Sequence, residues 1–143
     1  MIKLTRKQYE IEEPIQVTDE NGNLLVEYTV RITPEEKIQI RDIIFDEQDV
    51  KDGRKLAKLE KEGKADEYET LESNILERAK ARQEKFEKIV FKEERENIKQ
   101  KAGESIYLDL VDMMFNFFVN AFVDKRMSQM NTLTTSLRKI SNK

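Results

Sequence analysis

A chain of 143 residues, 38% apolar and another 38% charged, can bury one modest core, and its four glycines and two prolines are too few for a sheet-rich fold. With 26 basic residues interleaved among 29 acidic ones, the net charge of −3 offers no electrostatic footprint for nucleic acid. The absence of cysteine excludes disulfides and thiolate chemistry, and the absence of histidine removes the commonest general base together with the commonest metal ligand.

The N-terminus, MIKLTRKQYEIEE, has no apolar signal region, so a cytoplasmic protein is expected. Tyr9, Ile11, Ile15 and Val17 alternate with Glu10, Glu12 and Gln16, and Leu24, Val26, Tyr28, Val30 and Ile32 alternate in the same way. Asn21-Gly22 lies between the two runs, and this pattern predicts an antiparallel β-hairpin over 1–32. Pro14 has no N–H to give to a ladder and marks its strand as an edge or a bulged one, while Ile2 and Leu4 give a faint signal for a third strand. A two-stranded ribbon needs a cover on its apolar face, and its open edges can pair between copies.

Thr33-Pro34-Glu35-Glu36 carries the signature of a capping box with proline at the first helical position. A capped helix over 33–50 is therefore expected, with Ile38, Ile40, Ile43, Ile44 and Phe45 set to cover the hairpin. The acidic run Asp46-Glu47-Gln48-Asp49 and Gly53 read as the solvated end of that helix. Asp46, Glu47, Asp49 and Asp52 lack the alternate ligand spacing and closing glutamate of a calcium loop.

Residues 54–101 alternate Lys, Arg and Glu around a thin apolar seam that includes Leu71, Ile75, Ala79, Phe86, Ile89 and Val90, with a polar break at Arg82 and Gln83. Glu60/Lys64 and Glu84/Lys88 are spaced for helical ion pairs. A charged helical arm is expected, either one long helix or two joined near Gly63, folding back as a hairpin or forming an imperfect coiled coil.

Ile106 to Val123, IYLDLVDMMFNFFVNAFV, has fourteen apolar residues in eighteen. Its polar residues Asp109, Asp112, Asn116 and Asn120 fall in one lengthwise stripe at helical spacing. The expected helix, 104–123, has Tyr107, Val111, Met114, Phe118 and Phe122 at the centre of the opposite face. Leu110, Met113 and Phe117 lie on one flank and Leu108, Phe115 and Val119 on the other. Two mid-span aspartates and flanks without aromatic anchors argue against a membrane span. After Asp124-Lys125-Arg126, the residues Met127, Met130, Leu133, Leu137 and Ile140 predict a separate amphipathic tail helix over 127–141.

The fold class expected is thus α+β, mostly α, in one domain: an N-terminal β-hairpin, a long charged helix or helical hairpin, and an apolar C-terminal helix. Asp109 and Asp112 read as part of a wet edge rather than an acid/base pair, and no local signature supports a nucleophile, so neither enzyme activity nor a cofactor or metal is expected. The candidate partner-binding residues are Met113, Phe115, Phe117 and Val119 on one or the other flank of the apolar helix, with Met127, Met130, Leu133 and Leu137 on the tail.

This order of parts, a small β-hairpin, a capped helix, a charged middle and an apolar helical end in 143 residues, resembles the small tail assembly chaperones of long-tailed bacteriophages and prophage elements. The resemblance implies a cytoplasmic, non-enzymatic assembly factor that self-associates and coats the helical tape measure protein while tail-tube subunits assemble. Neither nucleic acid nor membrane is an expected partner. The same features also fit a permanent helical virion component that forms a homo-oligomer without a client.

Overall fold

The computed structural model describes residues 1–5 and 8–141, with side chains described as far as Val123. The fold is α+β and mostly α, an N-terminal antiparallel hairpin followed by helices. Strands β1 (Ile11–Thr18) and β2 (Leu24–Ile32) precede α1 (Pro34–Ile44), α2 (Glu47–Lys61), α3 (Ala65–Phe91), α4 (Arg95–Ala102) and α5 (Glu104–Ser141). The chain falls into two compact units, Met1–Tyr107 and Leu108–Lys143.

In the first unit β1 pairs with β2 from Ile11↔Ile32 to Val17↔Val26, and the register then slips to Thr18↔Leu24 beside the turn. The turn is held by Asp19, whose carboxylate accepts from the Asn21 and Asn23 backbone N–H groups at 2.9 Å each. The bond from the Asn23 N–H, above all, holds that carboxyl below its ordinary range. Gly22 supplies the positive φ of +83° that the turn requires. Ile2 and Leu4 are exposed and outside any strand, and the sheet has two strands among the described residues.

The capping box forms as its residues dictate. The Glu36 N–H donates to Thr33 Oγ1 at 3.2 Å, and the Thr33 N–H donates to Glu36 Oε1 at 3.0 Å. Thr33→Ala is expected to lower stability by about 1 kcal/mol, read as a shift in the urea midpoint, because one donor at the start of α1 loses its acceptor. The expected cover of the hairpin is corrected: β2 packs against α3 and α4, while α1 packs against α3. Val26, Val30 and Ile32 are buried in this core, along with Ile40, Phe86, Val90, Phe91 and Ile98.

The acidic run after α1 is likewise corrected. It begins α2 instead of ending α1, with Asp46 as cap accepting from the Gln48 N–H at 2.9 Å, and Gly53 lies inside the helix. The charged arm resolves into a fold-back hairpin. After Lys61, the Gly63 N–H donates to the Glu60 carbonyl at 3.1 Å and the Lys64 N–H to the Leu59 carbonyl at 3.0 Å. This paired closure needs a left-handed residue, supplied by Gly63 at φ +69°.

The helical hairpin is stapled at the end away from its turn. Arg82 Nη1 donates to Asp46 at 3.1 Å and Asp49 at 2.9 Å, and Arg78 pairs with buried Asp52, which also accepts from Gln48 at 3.0 Å. The bond from Gln48, and after it Arg78, holds the Asp52 carboxyl below its ordinary range. α3 ends at Phe91, and a single 3₁₀ turn, Lys92–Glu94, leads into α4.

The separate tail helix is also corrected. α5 runs from Glu104 to Ser141 without a break at Asp124-Lys125-Arg126, because none of these residues interrupts a helical backbone as proline or glycine would.

Candidate interaction surface

α5 has 38 residues and so runs about 57 Å at about 1.5 Å per residue. Gly103, at φ +86°, ends α4 and lets the chain turn into it. Tyr107, Leu110, Val111, Met114, Phe118 and Phe122 are buried, forming one lengthwise stripe at helical spacing. Asp109, Asp112, Asn116 and Asn120 are all exposed on the opposite side.

Between these two stripes lie two apolar flanks. On one, Leu108 is 45% exposed and Phe115 38%, with Val119 half-buried, and exposed Val123 falls in line with the polar stripe beside it. On the other, Met113 is 68% exposed, Ile106 is exposed, and half-buried Phe117 lies edge-on to Phe118 with ring centroids 5.3 Å apart. Phe115 and Val119 are thus together on one side of the polar stripe, and Met113 and Phe117 on the other. Leu110, expected on the second flank, belongs to the buried stripe. Met127, Met130, Leu133 and Leu137 are on α5, but their side chains lie outside the described residues.

By length and composition Glu104–Val123 would suffice to cross a membrane. The exposed Asp109 and Asp112 near its middle would each cost about 3 kcal/mol at the centre of a bilayer.

The first turn of α5 carries a polar centre that sequence reading did not single out. Glu87 is buried on α3, and its Oε1 accepts from the Tyr107 hydroxyl and from Arg95 Nε at 3.3 Å, while Gln83 donates to Oε2 at 3.4 Å. Burial, then the neighbouring Glu87 carboxylate, pushes the Tyr107 phenol far above its ordinary range. Arg95 is held above its ordinary value: burial opposes its charge, but the bonds to Tyr107 and Glu87 outweigh burial. The Tyr107 ring faces Phe91 at 5.7 Å, Phe91 faces Tyr28 at 6.1 Å, and the Tyr28 hydroxyl donates to the Val90 carbonyl at 3.2 Å. The centre therefore ties α3, α4 and the start of α5 into the same core that covers β2.

Among the described residues no group of three or more His, Cys, Asp or Glu could hold a metal ion. Asp46, Asp49 and Asp52 spend their carboxylates on Arg78, Arg82 and the start of α2. Two shallow hollows of about 280 and 370 Å³ meet at Leu59 near the α2–α3 turn, and neither reaches the Glu87 centre.

Together these features define a class: a small α+β chain with a stapled helical hairpin, whose longest element carries exposed apolar flanks. Compared with known proteins, the chain matches no family model, no curated protein and no solved structure.

Proposed function

We propose that this protein is a non-enzymatic assembly factor that holds an amphipathic helix of a client along the apolar flanks of α5, as a phage tail assembly chaperone holds its tape measure protein. The observation that carries the reading is the exposure of large apolar side chains, Leu108, Met113 and Phe115, on one helix beside a thin polar edge. Exposed apolar stripes at this spacing fit helix-in-groove recognition, in which a partner helix supplies the matching anchors. The work requires no chemistry: the client is shielded from water and later displaced. A cytoplasmic setting and partners limited to protein, with neither nucleic acid nor membrane among them, belong to the same proposal. Among the described residues no third strand pairs with the sheet, and strand pairing between copies would also suit the rival reading, a permanent homo-oligomeric virion component.

The test is capture of a labelled amphipathic peptide cut from a tape measure protein, followed by fluorescence anisotropy. Phe115→Ser and Phe117→Ser are each expected to weaken capture by about tenfold or more, as loss of one apolar anchor does, with far-UV circular dichroism unchanged. Capture unaffected by both substitutions would sink the reading. A wild-type chain that captures no peptide and keeps one stoichiometry on dilution would establish the structural rival.

A further inference from the structure

Because α5 is one unbroken helix, a single helical phase extends over both the apolar segment and the tail. At about 100° per residue, Leu108, Phe115, Val119 and Val123 fall within one sector of about 80°. Positions 130, 133 and 137 fall in the same sector, where the sequence has Met, Leu and Leu. The opposite flank does not continue in this way: beyond Ile106, Met113 and Phe117 its sector meets Asp124, Ser128, Asn131 and Thr135. The buried stripe also turns polar, at Lys125, Gln129, Thr132 and Ser136. Only the Phe115 flank stays apolar along the helix.

From Leu108 to Leu137 that sector contains two polar positions, Asp112 and Arg126, and they are of opposite charge. We propose that a second copy of this chain lies antiparallel along this flank of α5, with Val119 at the two-fold axis and Asp112 of each copy opposite Arg126 of the other. In that register Phe115 meets Val123 and Leu108 meets Met130, so every apolar position of the sector from Leu108 to Met130 faces an apolar one, while position 133 falls opposite Ser105 and position 137 beyond the start of the other copy's α5. A parallel pair in register would stack Asp112 on Asp112 and Arg126 on Arg126, which is repulsive. An antiparallel pair shifted to centre on position 117 would set Arg126 against Leu108 and Asp112 against Phe122. Charge complementarity thus selects both the orientation and the register, and a two-fold interface repeats the favourable pair twice. The proposal concerns the chain without a client and does not depend on the client reading.

The test is molar mass by light scattering on the full chain with no peptide added, from about 2 to about 100 µM. The wild type is expected to move from the 17.0 kDa of one chain toward twice that mass. Asp112→Arg or Arg126→Asp alone is expected to raise the dimer dissociation constant about tenfold, since each creates two repulsive pairs, and the double swap is expected to restore it to within about threefold. The chain has no native cysteine, so Val119→Cys is expected to give an oxidised, covalently linked dimer, and Met113→Cys on the other flank is not. A monomer at every concentration, single charge variants that dimerise like the wild type, a double swap that fails to restore dimerisation, or cross-linking through position 113 instead of 119 would each overturn the proposal. Peptide capture tests the client reading separately, at the low end of this concentration range, because client and second copy would share the Phe115 flank.

Discussion

Replacing Phe91 with alanine is expected to cost the first unit about 3–5 kcal/mol, a large share of the roughly 5–15 kcal/mol by which a domain of this size is stable. Phe91 is the last residue of α3, is completely buried, and lies between the Tyr28 and Tyr107 rings at 6.1 and 5.7 Å. Removing the ring deletes its own burial and two aromatic contacts, each worth about 0.5–1.5 kcal/mol beyond area. The gap cannot easily close. Tyr28 is held on one side by its bond to the Val90 carbonyl, and Tyr107 on the other by Glu87. Urea unfolding followed by tyrosine near-UV circular dichroism reads the loss, since the chain has no tryptophan. Leu76→Ala on the exposed side of α3 is the control, with an expected change within about 0.5 kcal/mol. A Phe91→Ala variant as stable as that control would show that the aromatic column is not where the hairpin and helices are joined.

The parts of this fold that sequence reading recovers are those determined by neighbours in the chain. The β-hairpin follows from alternation around Asn21-Gly22, and the start of α1 from Thr33 and Glu36, both effects of a few residues. The face of α5 that carries Tyr107, Val111, Met114, Phe118 and Phe122 follows from the position of the four polar residues opposite it.

What sequence reading misses depends on distant partners. Arg82 and Gln83 look like a polar break in the seam, yet Arg82 reaches Asp46 and Asp49 more than thirty positions away, and Gln83 donates to buried Glu87. In a stretch where Lys, Arg and Glu alternate, nothing local marks Glu87 as the one glutamate that is enclosed. The acidic run 46–49 is misplaced for a different reason. Aspartate suits the solvated end of one helix and the cap of the next equally well, and Phe45, between them, ends α1 without a glycine or proline to announce it. The flanks of the candidate surface are legible from periodicity, but their joint phase with the tail depends on α5 continuing through Asp124-Lys125-Arg126. Local composition does not decide that continuity.

Glu87→Ala is expected to cost about 3 kcal/mol, out of proportion to a single glutamate on a charged helix. The loss comes less from any attraction removed than from what is left behind: the Tyr107 hydroxyl and the Arg95 guanidinium stay largely enclosed without their shared acceptor. Tyr107→Phe removes only one donor, and its expected cost is about 1–2 kcal/mol. Because both changes break the same bond, the double variant is expected to be no more than about 1 kcal/mol less stable than Glu87→Ala alone. Tyr107 also sets a pH limit. Unfolded, its phenol loses its proton near pH 10, whereas the folded chain keeps it bound well above that. Above pH 10 the unfolded state therefore holds fewer protons, and stability falls as pH rises toward the folded value. Tyr28 is shifted the same way by burial, so some alkaline loss persists without Tyr107. The difference between wild type and Tyr107→Phe in urea midpoint, measured from about pH 9 to about pH 11, isolates the Tyr107 contribution. It is expected to shrink as pH rises. A constant difference across that range would mean that the Tyr107 proton is not held by the Glu87 centre, and additive single-variant costs would mean that the two side chains do not share a bond.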